Sequence, residues 1–279
     1  MITEAQLQAR KLGIGGSDMP IILGLSSYKT PYQLYMEKLG FIQPSTDETQ
    51  AQYWGSQLEH IVRNEFAKRN NVRIDLPETF IHPEYTFLRG NVDGFITAWN
   101  AVLEIKCSSG FMANQWGEDG SDVIPLQYLV QVAHYCAVSG ADSAYIAVLI
   151  GGNDYRQYKY TRDLALEEKL IDEAKLFWMS VEAQLPPQPV NQIDLRLMYP
   201  RHNPAKVKTI APDVEQQLSV MLDIRSKKKR LEEAEEQSKF NIMQYMKDAE
   251  CLTDSEGRPL VTWKSSKRGT RTFLLKGVN

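Results

Sequence analysis

Three residues of this chain have types and spacing suited to work on a phosphate: Asp93, Glu104 and Lys106. Glu104 and Lys106 stand two apart in a β-rich run, Val102 to Cys107, so the pleat sends both side chains to one face. Asp93 heads a second β-rich run, Phe95 to Trp99, and Asn100 between the two runs supplies the turn of a hairpin. An acid on one strand facing an acid and a lysine on the next gives a hard divalent cation two carboxylate ligands. The lysine is then placed to activate a water or to steady charge developing on a phosphate. The same pattern also describes an edge strand with charged residues turned to water. Apolar alternation around Glu104, and Gly90 and Gly94 flanking Asp93, favour a half-buried strand with close backbone or ligand approach.

Asp93 followed by Glu104-Ile105-Lys106 resembles the signature of the PD-(D/E)XK nucleases, in particular the lambda-exonuclease and YqaJ-like viral recombinase group. The resemblance covers roughly residues 8–190. It implies metal ligation by Asp93, Glu104 and the Ile105 carbonyl, with Mg²⁺, or Mn²⁺ in its place, as cofactor. Three further elements match. Gly55-Ser56-Gln57-Leu58-Glu59 fits a GxxLE element, which implies that Glu59 stands beside the metal. Tyr128 and Gln131 fit a Y-x-x-Q element, which adds Gln131 to the catalytic set. Arg10 lies seven residues before Ser17, the spacing of a pair that grips the 5′-phosphate of a DNA end. Arginine suits a bidentate hold on such a group, and Ser17 offers a hydroxyl near helix-terminal amides.

The elements that must position these residues can be followed along the 279 positions. A short helix is expected over 3–12. The turn Gly13–Asp18 is glycine-rich but is neither GxxxxGK[ST] nor GxGxxG, which excludes those nucleotide-binding loops. Thr30 and Pro31 open a helix reaching Gly40, and 43–50 is a polar loop. A long helix over 51–70 should bury Trp54, Leu58, Ile61, Val62 and Phe66. Residues 72–88 read as a strand and its approach to the hairpin. Gly110–Asp122 is a polar loop with Trp116 exposed. Pro125–Ser139 is a helix carrying Gln131, with His134 as an alternative base. Ala144–Ile150 and Tyr155–Thr161 pair around a glycine turn, and a helix over 163–184 ends at Pro186. The expected fold is therefore α/β, a restriction-endonuclease-like core with a central mixed sheet flanked by helices. The nuclease domain should span 1–190 and a linker 191–212. Residues 213–279 should form an appendage of one long charged helix and a basic β-hairpin bearing Lys264, Lys267, Arg268 and Arg271.

Composition sets bounds on function. With 43% hydrophobic and 24% charged residues the chain is an ordinary globular protein, and no run approaches the 18 apolar residues of a membrane span. The N-terminus lacks a signal-peptide core, so a cytoplasmic product is expected, and the resemblance implies that it is phage- or prophage-encoded in a bacterial host. Cys107, Cys136 and Cys251 are too scattered for a disulfide framework, a zinc site or an iron–sulfur cluster. Up to residue 190 there are 15 Lys and Arg against 23 Asp and Glu, and beyond it 17 against 12. An acidic body needs cations to meet DNA, whereas a basic tail could hold backbone phosphate. The expectation is a Mg²⁺-dependent 5′→3′ exonuclease acting on double-stranded DNA ends. From the resemblance come a trimeric ring and a single-strand annealing protein as partner in recombination. An endonuclease, or a DNA-binding module with an inactive core, are the alternatives.

Overall fold

The computed structural model describes residues 10–43, 49–266 and 269–277. The expected helix over 3–12 falls mostly outside the described residues, as do 44–48 of the polar loop and the basic pair Lys267-Arg268. The chain divides into two compact units between His202 and Asn203. No helix among the described residues is long and apolar enough to cross a membrane.

The first unit is built on a four-stranded mixed sheet. β3 (Gly94–Ile96) and β4 (Ala101–Ser108) form the expected hairpin, and β5 (Ser143–Ile150) and β6 (Asp154–Thr161) the second pair. Sheet order is β3-β4-β5-β6, with β4 and β5 parallel and the outer pairs antiparallel. Parallel neighbours need a crossover, and α4 (Leu126–Ser139) supplies it. β4 is buried from Ala101 to Ile105 because α4 covers one of its faces and α3 (Gln50–Asn70) the other. The first hairpin strand is shorter than the FITAW run implied. Thr97–Trp99 coils into a 3₁₀ turn, and Asn100 takes the left-handed conformation (φ 46°) that returns the chain into β4. Asn and Gly accept such angles cheaply.

One helix and one loop correct the sequence reading. In α3 only Val62 and Phe66 are buried, whereas Trp54 and Ile61 are solvent-exposed. Trp116, expected exposed, is 5% accessible and stacks on Tyr128 with ring centroids 5.2 Å apart. The polar loop it belongs to is held down, since Tyr158 Oη and Arg156 Nη1 both donate to the Gly117 carbonyl.

Around the sheet lie three short helical elements of the N-terminal region: a 3₁₀ turn Gly16–Asp18, α1 (Met19–Ile22) and α2 (Pro31–Lys38). Thr30 caps α2 as its sequence foretells, accepting from the Gln33 N–H. The segment before α1 is tied down twice. Ile14 bridges Leu88, its N–H donating to Phe87 O at 2.6 Å, while Arg89 N–H donates back to Ile14 O at 2.9 Å. The buried Lys38 ammonium spends its three donors on Arg10 O, Gly13 O and Asp18 Oδ2. Gly13 is required by this approach. A Cβ there would fall 2.1 Å from Phe87 O, a backbone atom that cannot step aside. Gly13→Ala should therefore cost about 1–3 kcal/mol, read as a lowered thermal midpoint of the first unit.

β1 (Phe80–Ile81) and β2 (Arg89–Gly90) pair separately beside the main sheet. α5 (Leu164–Glu182) packs Leu170, Ala174, Phe177 and Val181 into the core. The span 191–212, expected to be a linker throughout, begins with a helix, α6 (Gln192–Met198). Its Asp194 is fully buried and accepts from Thr30 Oγ1 and Val190 N–H, which fastens this stretch to the first unit.

The second unit consists of α7 (Pro212–Met246) and a three-stranded antiparallel sheet of β7 (Cys251–Thr253), β8 (Pro259–Ser265) and β9 (Arg271–Leu275). The opposed charge blocks of α7 satisfy each other at helical spacing, as in Lys227–Asp223 and Lys228–Glu232. The two described members of the basic cluster expected at this end already have partners. Arg271 donates to the carbonyls of Lys247, Ala249 and Trp263, and Lys264 pairs with Glu250 at 2.6 Å.

Candidate active site

β4 outruns its hairpin partner. β3 pairs as far as Leu103, so the Ile105 N–H on that edge faces no strand. The Asp93 carboxylate, standing just ahead of β3, takes it at 2.7 Å. One residue back along β4, Glu104 is 3% accessible, and its Oε1 accepts from Lys106 Nζ at 2.5 Å and from Gln131 Nε2 at 2.7 Å. The two-residue spacing on the strand makes the Lys106 contact, and α4 crossing the sheet brings Gln131. Gln131, placed in the catalytic set by its Y-x-x-Q element, holds the glutamate, and its Nε2 also donates to the Tyr135 hydroxyl at 3.1 Å. Lys106 also lies 5.2 Å from the centre of the Tyr128 ring, whose other neighbour is Trp116.

The other oxygen, Glu104 Oε2, is buried and has no hydrogen-bond partner among the described residues. Such an oxygen is expensive inside a protein unless something else binds it. Burial pushes the Glu104 carboxyl up to about 7, a rise that Lys106 opposes and Asp93 reinforces. Burial likewise raises Asp93, against the pull of the Ile105 N–H and of Lys106. Glu59, on α3, is raised by burial and by the nearness of Asp93, with the paired Arg63 guanidinium acting the other way. Three carboxylates that discourage one another's ionisation, one with a free buried oxygen, are the donor set that a hard divalent cation would relieve. Among the described residues no group of three or more His, Cys, Asp or Glu forms a ready-made metal cluster. The residues fit a cation that keeps much of its shell from water, substrate oxygens and backbone carbonyl, as Mg²⁺ does.

Asp93, Glu104, Glu59 and Gln131 line one cleft of about 400 Å³, and Arg10 and Ser17 line it too. All eight residues singled out in the sequence therefore fall at or beside one site, Ile105 and Lys106 through β4. An adjoining cleft of about 460 Å³ shares Arg10, Ser17 and Gln131 and adds Lys11, Lys29 and Tyr128. Sequence reasoning missed Arg63, Arg89 and Tyr135. Arg63 could have been found as the i+4 partner of Glu59 and Tyr135 as that of Gln131; nothing local marks Arg89. His134 is excluded as a base here. It is 2% accessible, lies with Nε2 2.9 Å from Arg89 O, and burial depresses it to about 4.

The chain is similar in sequence and in fold to known proteins. Residues 6–142 match the YqaJ-like viral recombinase domain. Over 181 residues the chain is 39% identical to protein YqaJ of Bacillus subtilis (strain 168), a match covering 64% of this chain and 56% of that one. The match thus spans little more than half of that relative's length. Among solved structures, the alkaline exonuclease LHK-Exo from Laribacter hongkongensis superposes with a TM-score of 0.55 at 18% identity, over 65% of this chain and 94% of that one. Its complex with dAMP gives 0.54 at 19% identity, with the same coverage. At such identities the likeness is one of fold, and the fold is the PD-(D/E)XK type. Through residues 6–142, the chain is similar to the YqaJ-like viral recombinase family.

Proposed function

We propose that this protein is a divalent-metal-dependent 5′→3′ exonuclease that degrades one strand of linear double-stranded DNA. One observation carries the reading: a buried glutamate, with one oxygen fixed by Lys106 and Gln131 and the other unpaired, shares a cleft with Arg10 and Ser17. Asp93, Glu104, the Ile105 carbonyl and Glu59 would hold Mg²⁺, or Mn²⁺ in its place. When bound, the ion supplies Lewis acidity and a water of lowered pKa for in-line attack on the phosphodiester. Gln131 keeps Glu104 from rotating, because its amide and the lysine share the same carboxylate oxygen. Lys106, cationic beside that carboxylate, orients the attacking water or faces the charge that develops on the phosphate. Arg10 and Ser17 hold the 5′-phosphate of the strand being shortened. A role in phage recombination beside a single-strand annealing protein, and a trimeric ring, follow from the family resemblance. The dAMP complex of LHK-Exo supports nucleotide binding on this fold.

The test is digestion of a linear duplex, 5′-phosphorylated and labelled at one end, next to a closed circle, with Mg²⁺ present or chelated. Loss of the linear strand from its 5′ end, with the circle spared and Glu104→Ala inert, is the expected result. A nicked circle would replace the exonuclease by an endonuclease, and no cutting of either would leave a binding module. Arg10→Ala should erase the preference for 5′-phosphorylated over 5′-hydroxyl ends, a change of about tenfold for one lost charged hydrogen bond, measured as the ratio of initial rates.

A further inference from the structure

Arg89, at the start of β2, lines the same cleft as Asp93, Glu104, Arg10 and Ser17. Its backbone is fixed from both sides, donating to Ile14 O and accepting from His134 Nε2, each at 2.9 Å. Its side chain has nothing comparable. Nε is buried without an acceptor, and among the described residues no carboxylate or carbonyl receives the guanidinium.

The acids of the cleft are already engaged with other cations. Glu59 pairs with Arg63, Glu104 with Lys106 and Asp18 with Lys38. Asp93, raised by burial, takes the Ile105 N–H and has Lys106 and Arg63 as the cations that oppose that rise. Arg89 is thus an unspent charge with a dry, unbonded donor, facing a cleft that opens to ligand. The close approach of Gly13 bears on its place, since a Cβ there would stand 3.2 Å from Arg89 Cδ. A planar fork of N–H donors with no internal acceptor suits the non-bridging oxygens of a phosphate. Arg10 and Ser17 also line the adjoining cleft, whereas Arg89 lines only the one that holds the carboxylates.

We propose that Arg89 binds a backbone phosphate of the DNA, seated between the Arg10–Ser17 pair and the Asp93–Glu104 pair. It is an anchor indifferent to whether the strand ends in a phosphate or a hydroxyl. This rests on the nuclease reading and names a further substrate-binding residue for it.

Arg89→Met keeps the apolar stem and removes the charge. Binding of linear duplexes with 5′-phosphate or 5′-hydroxyl ends, followed by fluorescence anisotropy with Ca²⁺ replacing Mg²⁺, should weaken about tenfold for both. The ratio between the two ends should stay at its wild-type value, and the salt dependence should become shallower by about one charge. The melting temperature should hold or rise, because the guanidinium has no internal partner to lose. Unchanged affinity overturns the proposal. So does a loss confined to the 5′-phosphorylated end, which would put Arg89 with Arg10, and so does a lowered melting temperature, which would make it structural. Failure of the wild type to bind either duplex would instead bring down the nuclease reading, and this proposal with it.

Discussion

Lys106→Ala should lower strand cleavage about 10²–10³-fold, the loss typical when one positioned charge donor leaves a reacting centre. The lysine is the cation that Glu104, Asp93 and Glu59 all feel, and it touches the first at 2.5 Å. Without it the cleft keeps its acids and loses the charge that balances them nearest the reacting atoms. Binding of the DNA end should change little, because Arg10, Ser17 and Arg89 remain. The measurement is single-turnover cleavage at saturating enzyme, with anisotropy on the same duplex. A variant that cleaves at the wild-type rate would remove Lys106 from the chemistry.

Glu104→Gln should have two effects of opposite kind: no cleavage, and a more stable fold. The folded carboxyl titrates near 7, above its ordinary 4.5, so the folded state holds this proton more tightly than the unfolded chain does. The stability linked to this group is complete below about 4.5 and drains away as pH rises through 7. A glutamine never ionises and keeps it. At pH 8 the variant should gain on the metal-free wild type, less whatever Lys106 loses with its carboxylate partner, and the gain should shrink toward pH 4. Mg²⁺ should raise the melting temperature of the wild type at pH 8 and leave the variant almost unmoved. Chemical denaturation at the two pH values, with and without the ion, checks both points. Equal stability of the two proteins at pH 8 would show that Glu104 is not held at a cost.

The centre of the site was legible because its determinants are local. A glutamate and a lysine two apart on a strand must share a face, and an asparagine before that strand marks the turn that returns it to Asp93. The glutamine of the crossover helix could be nominated from its element but not aimed, since only the packing of α4 on β4 decides that it meets Glu104. Arg89 carried no signal, because what distinguishes it is the absence of an acceptor among neighbours remote in sequence. Trp116 was misjudged for the converse reason. A polar loop implies exposure, yet Tyr128 and Tyr158 come from two other elements to enclose its ring. Asp194 behaves alike, its burial set by Thr30 across the fold. Charge counting misread Arg271 and Lys264, since a basic residue near a chain end is as ready to satisfy carbonyls and a neighbouring acid as to meet phosphate.

The strap that joins Ile14 to Leu88 and Arg89 has a kinetic consequence. Asp93, Glu104, Lys106 and Gln131 belong to one uninterrupted stretch, hairpin then helix, whose contacts close short loops and can form early. Arg10 and Ser17 emerge first in synthesis, yet they reach their places only after the chain has run on past α4, whose Tyr135 packs against Gly16. Long-range closure of that kind is the slow step in a fold of this topology. Refolding followed by probes at the two places should therefore resolve into two phases, with the hydrolytic centre assembled before the grip on the strand end.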